Sequence, residues 1–448
     1  MRYNTMQEAE DFIYASYLRA VNYIPKADDS ITRRPALTRE LLDRMGEPDK
    51  GMKIILVTGS KGKGSTSRFI SSILSHCGYK TGLFTSPHLV HFNERIRIDG
   101  KAISDSDFVR ICSEVSPFAG EIEQRLSREE YQGPVGITLA VALKYYRERG
   151  VDYAVVETGR GGCYDDTNVL ANEWAVIGSV FEEHIPYLGS SLRDIVRHKT
   201  GIVKEGTQAV IVNKQSGDAM AYIEGMLAGG SGDVYYYGRQ FRSSNIRLSR
   251  SGTHFDLHTD LAGYPDLRIP LLGAFQADNV AAAVKACECI TGKPLAHAIV
   301  KEALQGVQWP GRCEIIDENP TVVLDGTINA ASAGYVKEVV ESIGARKIAS
   351  IIAVPEDKDY EGVMRAAGAF SDRLIVTKPD SSHKAFPANA LETARRFNKK
   401  SKETGTLAEA VELAKADSGV DLILILGTQT FIGSAKRLWD QSLLDLGK

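Results

Sequence analysis

Gly59, Gly62 and Gly64 alternate with Lys61 and Lys63 in the run Gly59-Ser60-Lys61-Gly62-Lys63-Gly64-Ser65-Thr66, a spacing suited to holding phosphate. Glycines let backbone N–H groups turn inward toward anionic oxygens, and a helix N-terminus placed after them adds the positive end of its dipole. In such a cradle Lys63 lies on the β- and γ-phosphates, and a hydroxyl following it, Ser65, lies on Mg²⁺. The spacing departs from the usual P-loop, because Gly64 separates the lysine from Ser65 and no glycine occupies position 57. The plain alternative is a glycine-rich turn ahead of an ordinary helix.

Further clusters belong with this loop. Thr85-Ser86-Pro87-His88-Leu89 follows a short apolar run, with Asn93 to Arg97 soon after. Glu157 ends the apolar run Val151 to Val156, and Glu182-Glu183-His184 follow Ala175 to Val180. A carboxylate at the C-terminal end of a core strand is where a nucleotide-binding sheet keeps its metal-directed acid. A hydroxyl, a carboxylate and an imidazole meeting at that edge could hold a divalent ion, although Mg²⁺ prefers oxygen and a lone histidine is more often a satisfied polar residue.

The elements that must position these groups read as strands alternating with helices. Ile54 to Val57 precedes the glycine loop, and Phe69, Ile70, Ile73 and Leu74 mark a helix after it. Val151 to Val156, Ala175 to Val180 and Gln208 to Val212 read as core strands, with a helix over 138–149. This alternation predicts an α/β fold around a parallel central sheet. Residues 235–270, opening with Tyr235-Tyr236-Tyr237, read as a small antiparallel excursion. Gly306 to Arg312 reads as a linker, dividing the chain into domains 1–308 and 309–448. Beyond it, strands at Val322 to Leu324, Ile348 to Val354, Leu374 to Val376 and Leu422 to Leu426 alternate with helices near 332–343, 361–370, 387–398 and 406–416. That is a Rossmann-like unit without a dinucleotide fingerprint.

Composition bounds the partners. The 448 residues are 43% hydrophobic and 25% charged, with a net charge of −3, which gives no electrostatic case for nucleic acid or an anionic membrane. No apolar run is long enough for a membrane span, and residues 1–8 lack a signal-peptide core. Six scattered cysteines read as reduced thiols of a cytoplasmic protein, expected to be a monomer.

Read together, the motifs resemble the folylpolyglutamate synthase/dihydrofolate synthase family, a branch of the Mur ligases. Val57 to Thr66 is similar to its VTGTNGKGS-type loop, with Ser60-Lys61 in place of Thr-Asn. Thr85 to Leu89 with Asn93 to Arg97, and Glu157 to Asn168, resemble two further motifs. So do His184 to Gly189, His198 to Ile202, Gly273 to Asn279, Trp309 to Arg312 and Leu324 to Asn329, all in the family's order. The resemblance implies a Mur-ligase-like P-loop ATPase domain followed by a Rossmann-like ligase domain. It implies ATP held by Gly59, Lys61, Gly62, Lys63, Gly64, Ser65 and Thr66, with Gln276 and Asn279 at the adenine. It places Arg312 and Asp325 on the phosphates and ribose from the second domain. It implies two Mg²⁺, with Ser65, Ser86, Glu157, His184 and Lys199 as ligands, Lys199 after carbamylation; an ordinary lysine paired with phosphate or a carboxylate is the alternative. Lys63, Lys199, Arg312 and Asp325 are the implied catalytic groups. The implied reaction phosphorylates a carboxylate with ATP, after which an amine displaces phosphate and leaves an amide. The implied substrates are an amino acid, most simply glutamate, and a folate- or pterin-type carboxylate acceptor.

Departures fall on the acceptor side. Ile328 stands where the family has histidine, Ala330 where proline is common, Cys163 for an arginine and His198 for a glutamate. The Phe-Glu pair of the family's TxFExxT segment is missing from Gly133 to Thr138. These leave open a ligase of another carboxylate, a P-loop kinase or ATPase, and a catalytically impaired nucleotide-binding relative.

Overall fold

A computed structural model describes residues 2–230, 232–379 and 384–448. Its strands are β1 (Lys53–Thr58), β2 (Thr81–Phe84), β3 (Ile96–Ile98), β4 (Lys101–Ala102), β5 (Tyr153–Glu157), β6 (Trp174–Ile177), β7 (Ala209–Val212) and β8 (Asp233–Tyr236), which form one sheet in the order β4-β3-β2-β5-β1-β6-β7-β8. All pairings from β2 to β8 are parallel, and β3 and β4 are antiparallel additions at one edge. β1 is covered on both faces: Ile54 and Leu56 enter one core, Ile55 and Val57 the other. Burial on both faces is why this strand reads as an unbroken apolar run.

The chain leaves β1 toward β2 and β5 on one side and reaches β6 on the other. A crevice therefore opens at the C-terminal ends of β5, β1 and β6, where Glu157, Gly59 and Gly178 emerge side by side. The helix Lys63–His76 starts there and packs against the helix Ala274–Thr291, whose residues are almost all buried. Tyr235 and Tyr236 belong to the parallel edge strand β8, not to the antiparallel excursion expected for them. They alternate between the two cores like any two-sided strand. The excursion itself is β9 (Phe241–Ser249), β10 (Gly252–Thr259) and β11 (Gly263–Ile269).

The second unit carries β12 (Arg312–Glu318), β13 (Thr321–Asp325), β14 (Ile348–Ala353), β15 (Arg373–Val376), β16 (Lys402–Glu403) and β17 (Leu422–Gly427) in the order β12-β13-β17-β14-β15-β16. Only β12 is antiparallel, as a hairpin partner of β13 that the alternation of strands and helices did not reveal. The tail of the chain then returns to the first unit. Arg97 Nη2 donates to the Leu443 carbonyl at 2.7 Å, and Arg68 Nη2 donates to those of Leu446 and Gly447 at 3.1 and 2.9 Å. Among the described residues no helix is long and apolar enough to cross a membrane.

Candidate active site

The glycine loop is shaped by its neighbours. Gly62 adopts φ +84° immediately before the helix Lys63–His76, and a Cβ there would lie 2.6 Å from Asn279 Oδ1. At Gly64 a Cβ would come within 3.1 Å of the Trp309 ring and 3.4 Å of Glu157 Oε2. The left-handed backbone at Gly62 favours glycine, and a side chain at Gly64 would press on Trp309. Ser60 N donates to Ser179 O at 2.8 Å, tying the loop to the chain leaving β6. Lys63 Nζ folds back onto Gly59 O at 2.8 Å, while Ser65 and Thr66 are buried in the first turn of the helix.

Glu157 ends β5 beneath this loop. It is buried, and it accepts one hydrogen bond, from Ser86 N at 3.2 Å. Burial pushes its carboxyl pKa up, while Lys63 and Arg312 oppose that rise. A buried carboxylate so sparsely bonded, with the Ser86 backbone beside it, suits a hard cation. His184 stands at the next strand end with a left-handed backbone, φ 53°. Burial takes its pKa down to about 4, so the ring is the neutral form that ligates a metal, and Nε2 lies 3.6 Å from Glu183 Oε2. Among the described residues no three histidine, cysteine, aspartate or glutamate side chains form a ready metal cluster.

Lys199 is buried in the helix Leu192–Thr200 and donates to Glu183 Oε1 at 2.8 Å. Burial pulls its ammonium down to about 8 against the opposing pull of Glu183, with Lys63 adding to the fall. Burial alone would raise the Glu183 carboxyl, but Lys199, Lys63 and His184 together hold it below the usual carboxylate range. The carboxylate pairing that sequence left as the alternative for Lys199 is the one present here. Glu183 was visible in sequence only as the neighbour of His184; that it faces a lysine 16 positions on depends on the loop between them. The charge of Lys63 thus bears on Glu157, Glu183, His184 and Lys199 alike.

Other expected residues are distributed around this centre. Asn279 Nδ2 donates to Gln276 Oε1 at 3.0 Å, and Asn213 Nδ2 donates to Asn279 Oδ1 at 3.1 Å, all buried below the loop. Gln276 Nε2 is buried without a partner among the described residues. From the second unit, Arg312 and Asp325 face each other across β12 and β13. Asp325 Oδ2 accepts from Cys313 N at 3.0 Å and Oδ1 from Thr327 Oγ1 at 2.5 Å, leaving its carboxylate held by β12 and the turn after β13. Lys61 is set apart from the loop interior, its ammonium over the rings of Tyr335 and Phe275.

A cleft of about 600 Å³ joins the units beside His184, lined by Glu182, Glu183 and Tyr187 on one side and Ile328, Asn329 and Lys358 on the other. The helical N-terminal segment braces the far wall. Arg160 Nε donates to Asp29 Oδ2 at 3.0 Å, and Arg33 Nη1 donates to Asp165 Oδ2 at 3.0 Å. Neither brace was readable from spacing, because each joins residues more than 130 positions apart.

The Mur ligase middle domain matches residues 57–287, about half the chain, and the Mur ligase glutamate ligase domain matches residues 311–429. A folylpolyglutamate synthase of Lacticaseibacillus casei is 31% identical over 371 residues, covering 81% of this chain and 86% of that protein. The chain belongs to the folylpolyglutamate synthase/dihydrofolate synthase family of Mur ligases. The dihydrofolate synthase/folylpolyglutamate synthase of Bacillus subtilis is 29% identical, covering 90% of this chain and 95% of that one. The crystal structure of Mycobacterium tuberculosis folylpolyglutamate synthase complexed with ADP and AMPPCP superposes with a TM-score of 0.87 at 25% identity, over 96% of this chain and 99% of that one. As a member of this family the chain is an ATP-dependent ligase, and the kinase or simple ATPase reading falls away.

Proposed function

We propose that this ligase joins glutamate to a folate- or pterin-type carboxylate through an acyl phosphate, releasing ADP and phosphate, with residues 1–308 holding ATP and 309–448 closing on it. The observation that carries the reading is the convergence of Lys63, Glu157, Glu183, His184 and Lys199 at one sheet edge, with Arg312 of the second unit acting electrostatically on Glu157. The Bacillus relative, a dihydrofolate synthase/folylpolyglutamate synthase, and the Lacticaseibacillus folylpolyglutamate synthase support the acceptor class.

Each group has a task in that reaction. The loop N–H groups and Lys63 receive the phosphates, and Lys63 leaves the Gly59 carbonyl to do so. Arg312 adds positive charge where the transferred phosphoryl group is negative, so docking of the second unit completes the site. Ser65, Ser86, Glu157 and His184 would hold Mg²⁺, which would supply positive charge to offset the phosphates. Lys199, buried and paired with Glu183, is placed to order the acceptor side; carbamylation would turn it into an anionic ligand. No side-chain nucleophile is required, since the substrate carboxylate attacks and the amine follows. Catalysis is then positioning and charge neutralisation.

Incubation with ATP, Mg²⁺, glutamate and either dihydropteroate or tetrahydrofolate should yield an acceptor heavier by one glutamyl residue, read by mass spectrometry. ADP release with another carboxylate, and no product from either pterin, would replace the acceptor assignment. Ile328 favours that second reading, because an aliphatic side chain lines the cleft in place of the family's imidazole. If Ser86, Glu157 and His184 share one Mg²⁺, each alanine variant should raise the Mg²⁺ concentration for half-maximal rate, and paired variants should lose less than the sum. Full additivity in that titration would separate the three residues into independent roles.

A further inference from the structure

Lys61 stands where the family's loop carries asparagine, and a place among the ATP-holding residues does not explain where its ammonium rests. Its Nζ is buried and hydrogen-bonds to nothing among the described residues. It lies 4.1 Å from the centroid of the Tyr335 ring and 5.0 Å from that of Phe275. The two rings meet edge-on, 4.8 Å apart at 63°, and form two walls of a cage. Phe275 is in the first turn of Ala274–Thr291 on the first unit, whereas Tyr335 is in Ala330–Ile343 on the second. The ammonium therefore bridges the units.

The backbone beneath it is fixed, since Lys61 N approaches Ser179 O at 3.4 Å and the two residues form a β-bridge. The four-carbon side chain is free to turn about that anchor. A cation–π contact holds an ammonium less strongly than a polyphosphate a few ångströms away would once the charge is desolvated. Burial disfavours the charged ammonium in its caged position and Arg312 adds to that, while Asp325 opposes it.

We propose that Lys61 is a nucleotide-operated latch, caged by Tyr335 and Phe275 when the loop is empty and drawn onto the phosphates when ATP binds. The proposal rests on the glycine loop being the ATP site. Its direct consequence is a competition: the cage holds the second unit to the loop at the expense of nucleotide affinity. A lysine fixed permanently in the cage would show no such competition.

Isothermal titration of the full-length protein with MgATP, on chains whose folding is checked by circular dichroism, separates the cases. Tyr335→Leu should tighten MgATP binding about 5-fold by removing the competing site. Lys61→Asn should weaken it about 10-fold, and the double variant should match Lys61→Asn alone. Tyr335→Phe keeps the ring and should leave affinity unchanged; Phe275→Leu carries the same comparison should Tyr335→Leu not fold. Unchanged or weakened binding in Tyr335→Leu, or in Phe275→Leu where that variant stands in for it, overturns the latch, as does a Tyr335→Leu effect that persists without Lys61. Absence of binding by the unaltered protein would overturn the ATP-site reading itself.

Discussion

Lys63→Ala is expected to lower ATP turnover by 10²- to 10³-fold while the chain keeps its fold. Nothing in the protein depends on this ammonium for packing: its one hydrogen bond is to the carbonyl of Gly59, within its own loop. Its worth lies in charge at the phosphates, and loss of one donor aimed at a developing anion costs about 3–4 kcal/mol of transition-state stabilisation. Circular dichroism and ADP release on the purified variant report the two halves separately. A variant that turns over ATP at near-normal rate would remove the loop from the reaction, whatever the family.

Glu183→Ala should have the largest effect on stability. It strips the carboxylate from a buried lysine, and breaking a buried pair from one side costs about 3–5 kcal/mol. A ceiling follows from the alternative open to Lys199, which is to give up its proton: from an ordinary pKa near 10.4 that costs about 4–5 kcal/mol at neutral pH. A fall in thermal midpoint of about 3–8 °C is expected. The double variant Glu183→Ala/Lys199→Met, with no charge left to bury, should recover most of that loss without recovering activity. An unchanged midpoint in the single variant would mean that water or a neighbouring group already satisfies Lys199.

The parts of this site that were readable in sequence share one property: they are local. The glycine loop, Ser86, Glu157 and His184 each follow an apolar run, and in a sheet buried on both faces those runs are the strands themselves. The residue at the end of each is therefore delivered to the same edge. What was not readable depends on the return path of the chain. Lys199 meets Glu183 through an intervening loop, and the cage around Lys61 gathers residues 61, 275 and 335. Arg160 reaches Asp29 across the length of the first unit. Tyr235 and Tyr236 were misplaced for a different reason: an edge strand is only half covered, so its composition resembles that of the hairpin following it.

The return of residues 443–448 to Arg68 and Arg97 sets how the second unit can move. A body joined to another through one linker can swing and twist about that point in three rotational directions. This one is tied covalently at 306–312 and again, by hydrogen bonds, through the carbonyls of Leu443, Leu446 and Gly447. Two attachment points define an axis, and rigid rotation about that axis is the one swing left while both hold. Arg68 rides on the helix that begins at Lys63, so one end of the axle is mounted on the phosphate-binding element itself. Any closing of the second unit that keeps both ties would be steered toward rotation about that axis, with Arg312 close to it.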